Sequence, residues 1–382
     1  MKTQRTIPFS IACLFIVLSA SITPTVAQTA PTKNVEPTAK SLLERHAKEK
    51  SSAWADGDKA TFFFQGEVGE VTLVVGGETK KLHRLPESDV WTITLERPGL
   101  QKGVFTYSLI PGNKGEPPFK RGEKLKPNTW RGPDAPSAPA LTKLLQGTVK
   151  NIDFPSKSLS GTRKVNVYLP PKHDKTQPTA VIYATDGQTR PEVLEPLIVS
   201  GKIRPVIVIG AACGEYLGVL DGKVPYEFQK DLRALEYLPG PDEERFKKHE
   251  VFFCEELAAW AQKEFGASPD RKNKGVLGCS NGARFAVEMG LRHPDLFGHV
   301  LAFSVAGDSK LKLPKTDVQP HYYLAAGTWE KNFHKITQAV HDQLVKASIP
   351  VDFHSRVSGH DDVMWCDEFV AAVLKAYPPI RK

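Results

Sequence analysis

Residues 274–293 read KGVLGCSNGARFAVEMGLRH and are followed by Pro294. The run divides into three parts. Lys274 to Leu277 is a short apolar run with strand character, Gly278-Cys279-Ser280-Asn281-Gly282 has the form GxSxG, and Ala283 to His293 places apolar residues at helical spacing up to a proline stop. A serine lifted onto a tight strand-to-helix turn needs small residues two positions to either side, because the backbone there is strained and neighbouring chains approach closely. Gly278 and Gly282 supply them. GxSxG alone is a weak signal, but between a strand and a helix it predicts an exposed nucleophile at Ser280. The helix N-terminus behind that serine directs the Asn281 N–H and a positive dipole end toward a developing oxyanion.

The same alternation extends outward. The runs KVNVYLP, AVIYATDG, PVIVIG, HVLAFS, HYYLAAG and VDFHSRV read as strands. Helical patterns lie between them and after them at residues 250–265, 331–347 and 364–376. Alternating β and α over about 240 residues predicts an α/β fold with a mostly parallel sheet covered by helices on both faces. Ahead of it, ATFFFQG, EVTLVVGG, VWTITLER and GVFTYSLI within residues 60–110 alternate with period two, which predicts a small all-β sandwich. The expected organisation is a signal peptide at 1–27, a tether with a short helix at 28–52, a β-domain at 53–126, a proline-rich linker at 127–142 and the α/β domain at 143–382.

A serine hydroxyl is inert at neutral pH without a base to take its proton and a carboxylate to orient that base. With the chain order Ser, acid, His of this fold class, His360 is the expected base, because Val357-Ser358-Gly359-His360 follows the last strand run. Glu330 is the expected acid, after HYYLAAG and before a helix, and Asp308 competes with it. Asp361 and Asp362 adjoin the histidine too closely to fold back onto its Nδ1. A second oxyanion donor is expected from the turn after VIYA, where Gly187 permits the bend that aims the Gln188 N–H inward. Trp54, Trp91 and Trp130 are either core residues of the β-domain or platforms for sugar rings, the latter under a reading of the chain as a non-catalytic glycan-binding protein.

The 382 residues carry 51 Lys and Arg against 43 Asp and Glu, a formal net charge of +8. So modest an excess spread over this length excludes the concentrated basic face of a nucleic-acid binder. Residues 1–27 place Lys2 and Arg5 before an apolar run and end in Thr25-Val26-Ala27, the pattern of a cleaved export signal. The expected location is therefore the periplasm or the exterior, with no membrane span after cleavage. Beyond Cys13, the cysteines Cys213, Cys254, Cys279 and Cys366 are too sparse for a disulfide framework and lack metal-site spacing. No cofactor is expected.

Together, the Asp186-Gly187-Gln188 turn, Arg233 to Pro239 (RALEYLP), Glu255-Glu256-Leu257, the GCSNG turn, Gly327-Thr328-Trp329-Glu330 and Gly359-His360-Asp361 resemble one branch of the α/β hydrolases. That branch contains enterochelin (ferric enterobactin) esterases, S-formylglutathione hydrolases, feruloyl esterases and mycolyltransferases. The β-domain looks like the early-set domain that precedes enterochelin esterases and some carbohydrate esterases. The resemblance covers residues 145–380 and implies a serine esterase without metal or organic cofactor. It supports Glu330 as acid and Gln188 as oxyanion donor, and places Arg233 near the entrance, where it either meets an anionic substrate or is held in an ion pair with Glu236 or another acid. A carbohydrate esterase (acetyl or feruloyl) and an acyltransferase are the alternatives on the same residues.

Overall fold

The computed structural model describes residues 37–113, 127–215, 217–218 and 227–380. The expected signal peptide lies outside these residues. The short helix α1 (Ala39–Glu49) is capped by the Thr38 side chain, which accepts from the Ser41 N–H. It is no free tether. Leu42 buries against Trp54, Phe63 and Val90, so α1 covers the outer face of the sandwich.

The sandwich is built from β1 (Ala53–Asp56), β2 (Lys59–Gln65), β3 (Glu70–Val75), β4 (Glu78–Lys81), β5 (His83–Arg84), β6 (Val90–Glu96), β7 (Val104–Gly112) and β8 (Asn128–Arg131). One sheet has the order β1-β2-β6-β5 and the other β4-β3-β7-β8. Between them Phe62, Leu73, Val75, Trp91, Leu100 and Phe105 form a core. Strand β8 corrects the domain boundary. The expected linker at 127–142 opens with four residues paired antiparallel to β7, and a four-residue strand flanked by prolines has too little pattern to stand out in sequence. Trp54 and Trp91 are buried and Trp130 stacks on Phe105 with centroids 6.0 Å apart. These tryptophans belong to the core and offer no open platform for a sugar.

The α/β domain carries β9 (Thr148–Ser156), β10 (Gly161–Leu169), β11 (Ala180–Ala184), β12 (Val206–Ala211), β13 (Lys274–Cys279), β14 (His299–Phe303), β15 (His321–Gly327) and β16 (Val351–Arg356). They form an 8-stranded sheet in the order β16-β15-β14-β13-β11-β12-β10-β9. From β12 to β16 all neighbours are parallel, while β9 and β10 run antiparallel at one edge. The helices are α2 (Pro191–Val199), α3 (Leu232–Tyr237), α4 (Glu243–Val251), α5 (Leu257–Phe265), α6 (Asn281–Arg292), α7 (Lys331–Lys346) and α8 (Asp362–Ala376).

Side-chain alternation sends Val181, Val276 and Val300 to one face, against residues of α3 to α7. Ile182, Leu277 and Leu301 go to the other, against α2 and α8. Burial on both faces explains why these strands read as unbroken apolar runs, and β11, β12 and β13 are buried at every position. Parallel strands also bring the loops that follow β11, β13, β14, β15 and β16 to one edge of the sheet, where sites form in open α/β folds.

Candidate active site

Ser280 lies between β13 and α6 with φ 60° and ψ −124°, a region that L-residues occupy only when the surroundings enforce it. The glycines make this possible. A Cβ on Gly278 would overlap the Gly282 carbonyl, and one on Gly282 would overlap Thr185 Oγ1. The Ser280 N–H is fixed to the Phe303 carbonyl on β14 at 2.9 Å, and its own carbonyl accepts from the Ala283 and Arg284 amides. Among the described residues the Asn281 N–H has no acceptor, as expected for the first amide of a helix. It is free to bind an oxyanion.

Glu330, between β15 and α7, is almost fully buried. Its Oε2 accepts from His360 Nδ1 at 2.6 Å. Its Oε1 accepts from the Ser304 hydroxyl at 2.6 Å and from the Gly327 N–H at 2.7 Å. Trp365 Nε1 donates to Ser304 Oγ at 2.8 Å, so the single proton of Ser304 is directed to the carboxylate. The imidazole of His360 lies between two rings, Phe333 at 4.1 Å and Trp365 at 4.8 Å between centroids. The expected acid and base therefore meet, although 30 residues separate them in the chain. Asp308 is engaged elsewhere, accepting from the Lys310 N–H.

The nucleophile candidate stands two strands from Glu330, with β14 between them. Ser280 follows β13, Ser304 follows the adjacent β14, and Glu330 and His360 follow β15 and β16. Neighbouring strands lie about 4.8 Å apart, so the four loops share one rim. A second tether joins the rim from the other side. Arg190 donates to Asp362 Oδ1 at 2.5 Å and to Gln188 Oε1 at 2.9 Å, and Cys279 Sγ is 3.9 Å from the same Gln188 oxygen. Among the described residues the Glu330–His360 bond is formed, while no hydrogen bond joins Ser280 Oγ to His360. Such bonds are often long in free enzymes and tighten when substrate binds.

The expectation for Gln188 is corrected. Its N–H donates to the Thr185 carbonyl at 3.2 Å. Asp186 and Gly187 both have positive φ, 58° and 69°, so the turn is of the type I′ kind, whose closing bond uses that amide. Arg233 stands beside the nucleophile, but paired to Asp186, with its Nε at 2.6 Å from Oδ1 and one Nη at 3.0 Å from Oδ2. The same Nη lies 3.4 Å from the Cys279 carbonyl. Burial pushes the neighbouring Cys213 thiol up to about 12, with Asp186 adding to the effect, so this cysteine is no nucleophile at neutral pH. The four cysteines in the described residues are all free.

Sequence reasoning missed Ser304, Trp365 and Phe333. Ser304 was within reach of the rule that named Glu330, since it directly follows a strand at the functional edge. It is buried and also has positive φ, 58°. The two aromatic residues gave no signal, because an aromatic on an amphipathic helix is ordinarily core.

Parallel strands feeding a buried carboxylate–imidazole pair, beside a serine on a strained strand-to-helix turn, define the α/β-hydrolase class. Residues 156–376 match the family described as "Putative esterase". That is more than half of the chain, which belongs to this family and is an esterase. The fold is also that of the ferric enterobactin esterase of Salmonella typhimurium, with TM-score 0.66 and 16% identity over 87% of this chain and 98% of that one. The enterobactin esterase of Shigella flexneri gives 0.63 and 17%, over 86% and 97%. In sequence, an uncharacterized Bacillus subtilis protein, YjcH, is 26% identical over 198 residues, 49% of this chain and 76% of its own. A Xylanibacter ruminicola endo-1,4-beta-xylanase/feruloyl esterase is 25% identical over 254 residues, 60% of this chain but only 32% of its own.

Proposed function

We propose that the chain is an exported serine esterase in which Ser280 is the nucleophile, His360 the general base and Glu330 the acid that orients it. The observation that carries this reading is the 2.6 Å bond from His360 Nδ1 to Glu330. It fixes the imidazole with Nδ1 protonated and leaves Nε2 as the basic nitrogen. Substrate entry brings Ser280 Oγ and His360 Nε2 into hydrogen-bond distance. Nε2 takes the hydroxyl proton as Oγ attacks the ester carbonyl, and the Asn281 N–H with the α6 N-terminus stabilises the oxyanion. Collapse breaks the ester C–O bond, and His360 returns the proton to the departing alcohol. Water then repeats the sequence on the acyl-enzyme and releases the acid. The Arg233–Asp186 pair lines the same rim, with the guanidinium over the Tyr237 ring, and among the described residues Arg233 Nη1 has no hydrogen-bond acceptor, which favours esters that carry an anionic or hydroxyl group near the scissile bond.

Export rests on the leader pattern of residues 1–27. Among the described residues no helix is long and apolar enough to cross a membrane. The reading is tested with p-nitrophenyl butyrate, followed by a panel of acetylated xylan, feruloyl sugars and a tri-serine siderophore. Turnover by the wild type and its loss in Ser280→Ala is the expected result. Equal rates for the two proteins contradict it.

A further inference from the structure

The β-sandwich touches the α/β domain at the segment that carries His360. Strand β3 ends at Val75, while β7 runs further, and its residues Val104 and Thr106, two apart, turn their main-chain groups toward the same edge. Residues 357–361 of the other domain fill that edge. The Val104 N–H donates to the Val357 carbonyl at 3.0 Å, and the Ser358 hydroxyl donates to the Val104 carbonyl at 2.5 Å. Asp361 Oδ2 accepts both the Thr106 N–H, at 2.6 Å, and the Thr106 hydroxyl, at 2.9 Å. Its Oδ1 accepts the Val363 N–H at 3.1 Å and caps α8.

The turn between β3 and β4 closes over the same segment. A Cβ on Gly359 would overlap the Gly76 carbonyl, and a Cβ on Gly77, whose φ is +84°, would come within 3.5 Å of the His360 Cβ. The acid's neighbour is gripped in the same way. Trp329 packs on Phe105 at 5.3 Å between centroids and donates its indole N–H to the Pro98 carbonyl at 3.3 Å.

We propose that the β-sandwich is a positioning module for the general base, with Thr106 and Asp361 as the clasp that seats the 357–361 segment along the edge of β7. This rests on His360 being the base. A buried carboxylate next to a catalytic histidine, yet turned away from its ring, has its role in this contact. Thr106 and Asp361 touch no reacting atom and act by holding the imidazole in register with Ser280. Burial raises the carboxyl of Asp361 above the usual range, and only a full set of donors keeps it a serviceable acceptor.

The test measures kcat, KM and fluorophosphonate labelling rate on the full chain. Thr106→Val removes the hydroxyl donor and should lower kcat and labelling roughly tenfold, and Asp361→Ala roughly a hundredfold, with KM within about twofold, the scale on which sub-ångström misplacement acts. Thr106→Ser should restore the wild-type rate, which a change in packing alone would not. Arg131→Leu cuts a different link between the domains, the pair to Asp367 at 2.8 and 3.0 Å, and should lower the melting temperature while leaving kcat unchanged. Should Asp361→Ala not fold, the Thr106 variants decide. The clasp is overturned by a wild-type kcat in Thr106→Val, or by an equal loss in Arg131→Leu. Ser280→Ala is run alongside. If it is active, the triad reading falls and the clasp with it; if it is inert while Thr106→Val is unimpaired, only the clasp falls.

Discussion

Replacing Glu330 with glutamine tests the proton arrangement around His360 atom by atom. Trp365 Nε1 donates to Ser304 Oγ, so Ser304 donates to Glu330 Oε1, and the Gly327 N–H donates to the same oxygen. In Glu330→Gln these two donors require the amide oxygen at that position, which turns the NH2 toward His360. An N–H facing Nδ1 forces the other tautomer, with the proton on Nε2, and the imidazole can no longer accept from Ser280. The fold should survive, since the glutamine still satisfies Ser304 and Gly327. The expected loss in kcat is roughly 10⁴-fold, the cost of a wrong tautomer in a serine triad, or about 5.5 kcal/mol of transition-state stabilisation. Glu330→Ala leaves the ring free to choose its tautomer and should retain more activity than the glutamine variant. The assay is p-nitrophenyl butyrate hydrolysis at pH 7.5, with the melting temperature as a fold control. A Glu330→Gln enzyme within tenfold of wild type would refute the reasoning.

Two further outcomes follow from individual residues. Gly278→Ala places a Cβ against the Gly282 carbonyl and the Ala283 nitrogen, both main chain and unable to yield, so esterase activity should disappear and stability fall by about 1–3 kcal/mol, read by urea denaturation. His249 is fully buried among Tyr237, Phe252, Phe253 and Phe285, and desolvation pulls it down to about 4 from an ordinary 6.5, against the opposing pull of Glu236. The unfolded chain then binds the extra proton between these values, so the stability is complete above about pH 6.5 and is lost as pH falls toward 4. Up to about 3 kcal/mol is at stake. His249→Phe should flatten this part of the stability–pH curve, and an unchanged slope would contradict the assignment.

The nucleophile turn, the parallel sheet and the acid–base pair were legible in sequence for one reason. Ser280 and Glu330 follow β13 and β15, whose apolar runs are unbroken because both sheet faces are covered, and His360 follows the half-buried edge strand β16, so chain order placed all three at one edge. Gln188 was misjudged because the backbone of a two-residue turn depends on both central residues. Gly187 announced the bend, but the positive φ of Asp186, which spends the Gln188 amide on Thr185, had no signature. The clasp was illegible for a different reason. Thr106 and Asp361 are 255 residues apart, and a threonine on a strand and an aspartate before a helix each satisfy a local rule, strand propensity and N-capping, that hides the long-range one. The docking of α1 on the sandwich was hidden similarly, since one buried leucine is a faint signal in a charged helix.

The measurement that tests the account most directly is covalent trapping. The protein is treated with a fluorophosphonate, digested, and its modified peptide sequenced by mass spectrometry, with His360→Ala treated in parallel. A single adduct on Ser280 is expected, with labelling slowed by several orders of magnitude in the His360 variant. An adduct on another residue, or a His360→Ala protein labelled as fast as the wild type, would contradict it.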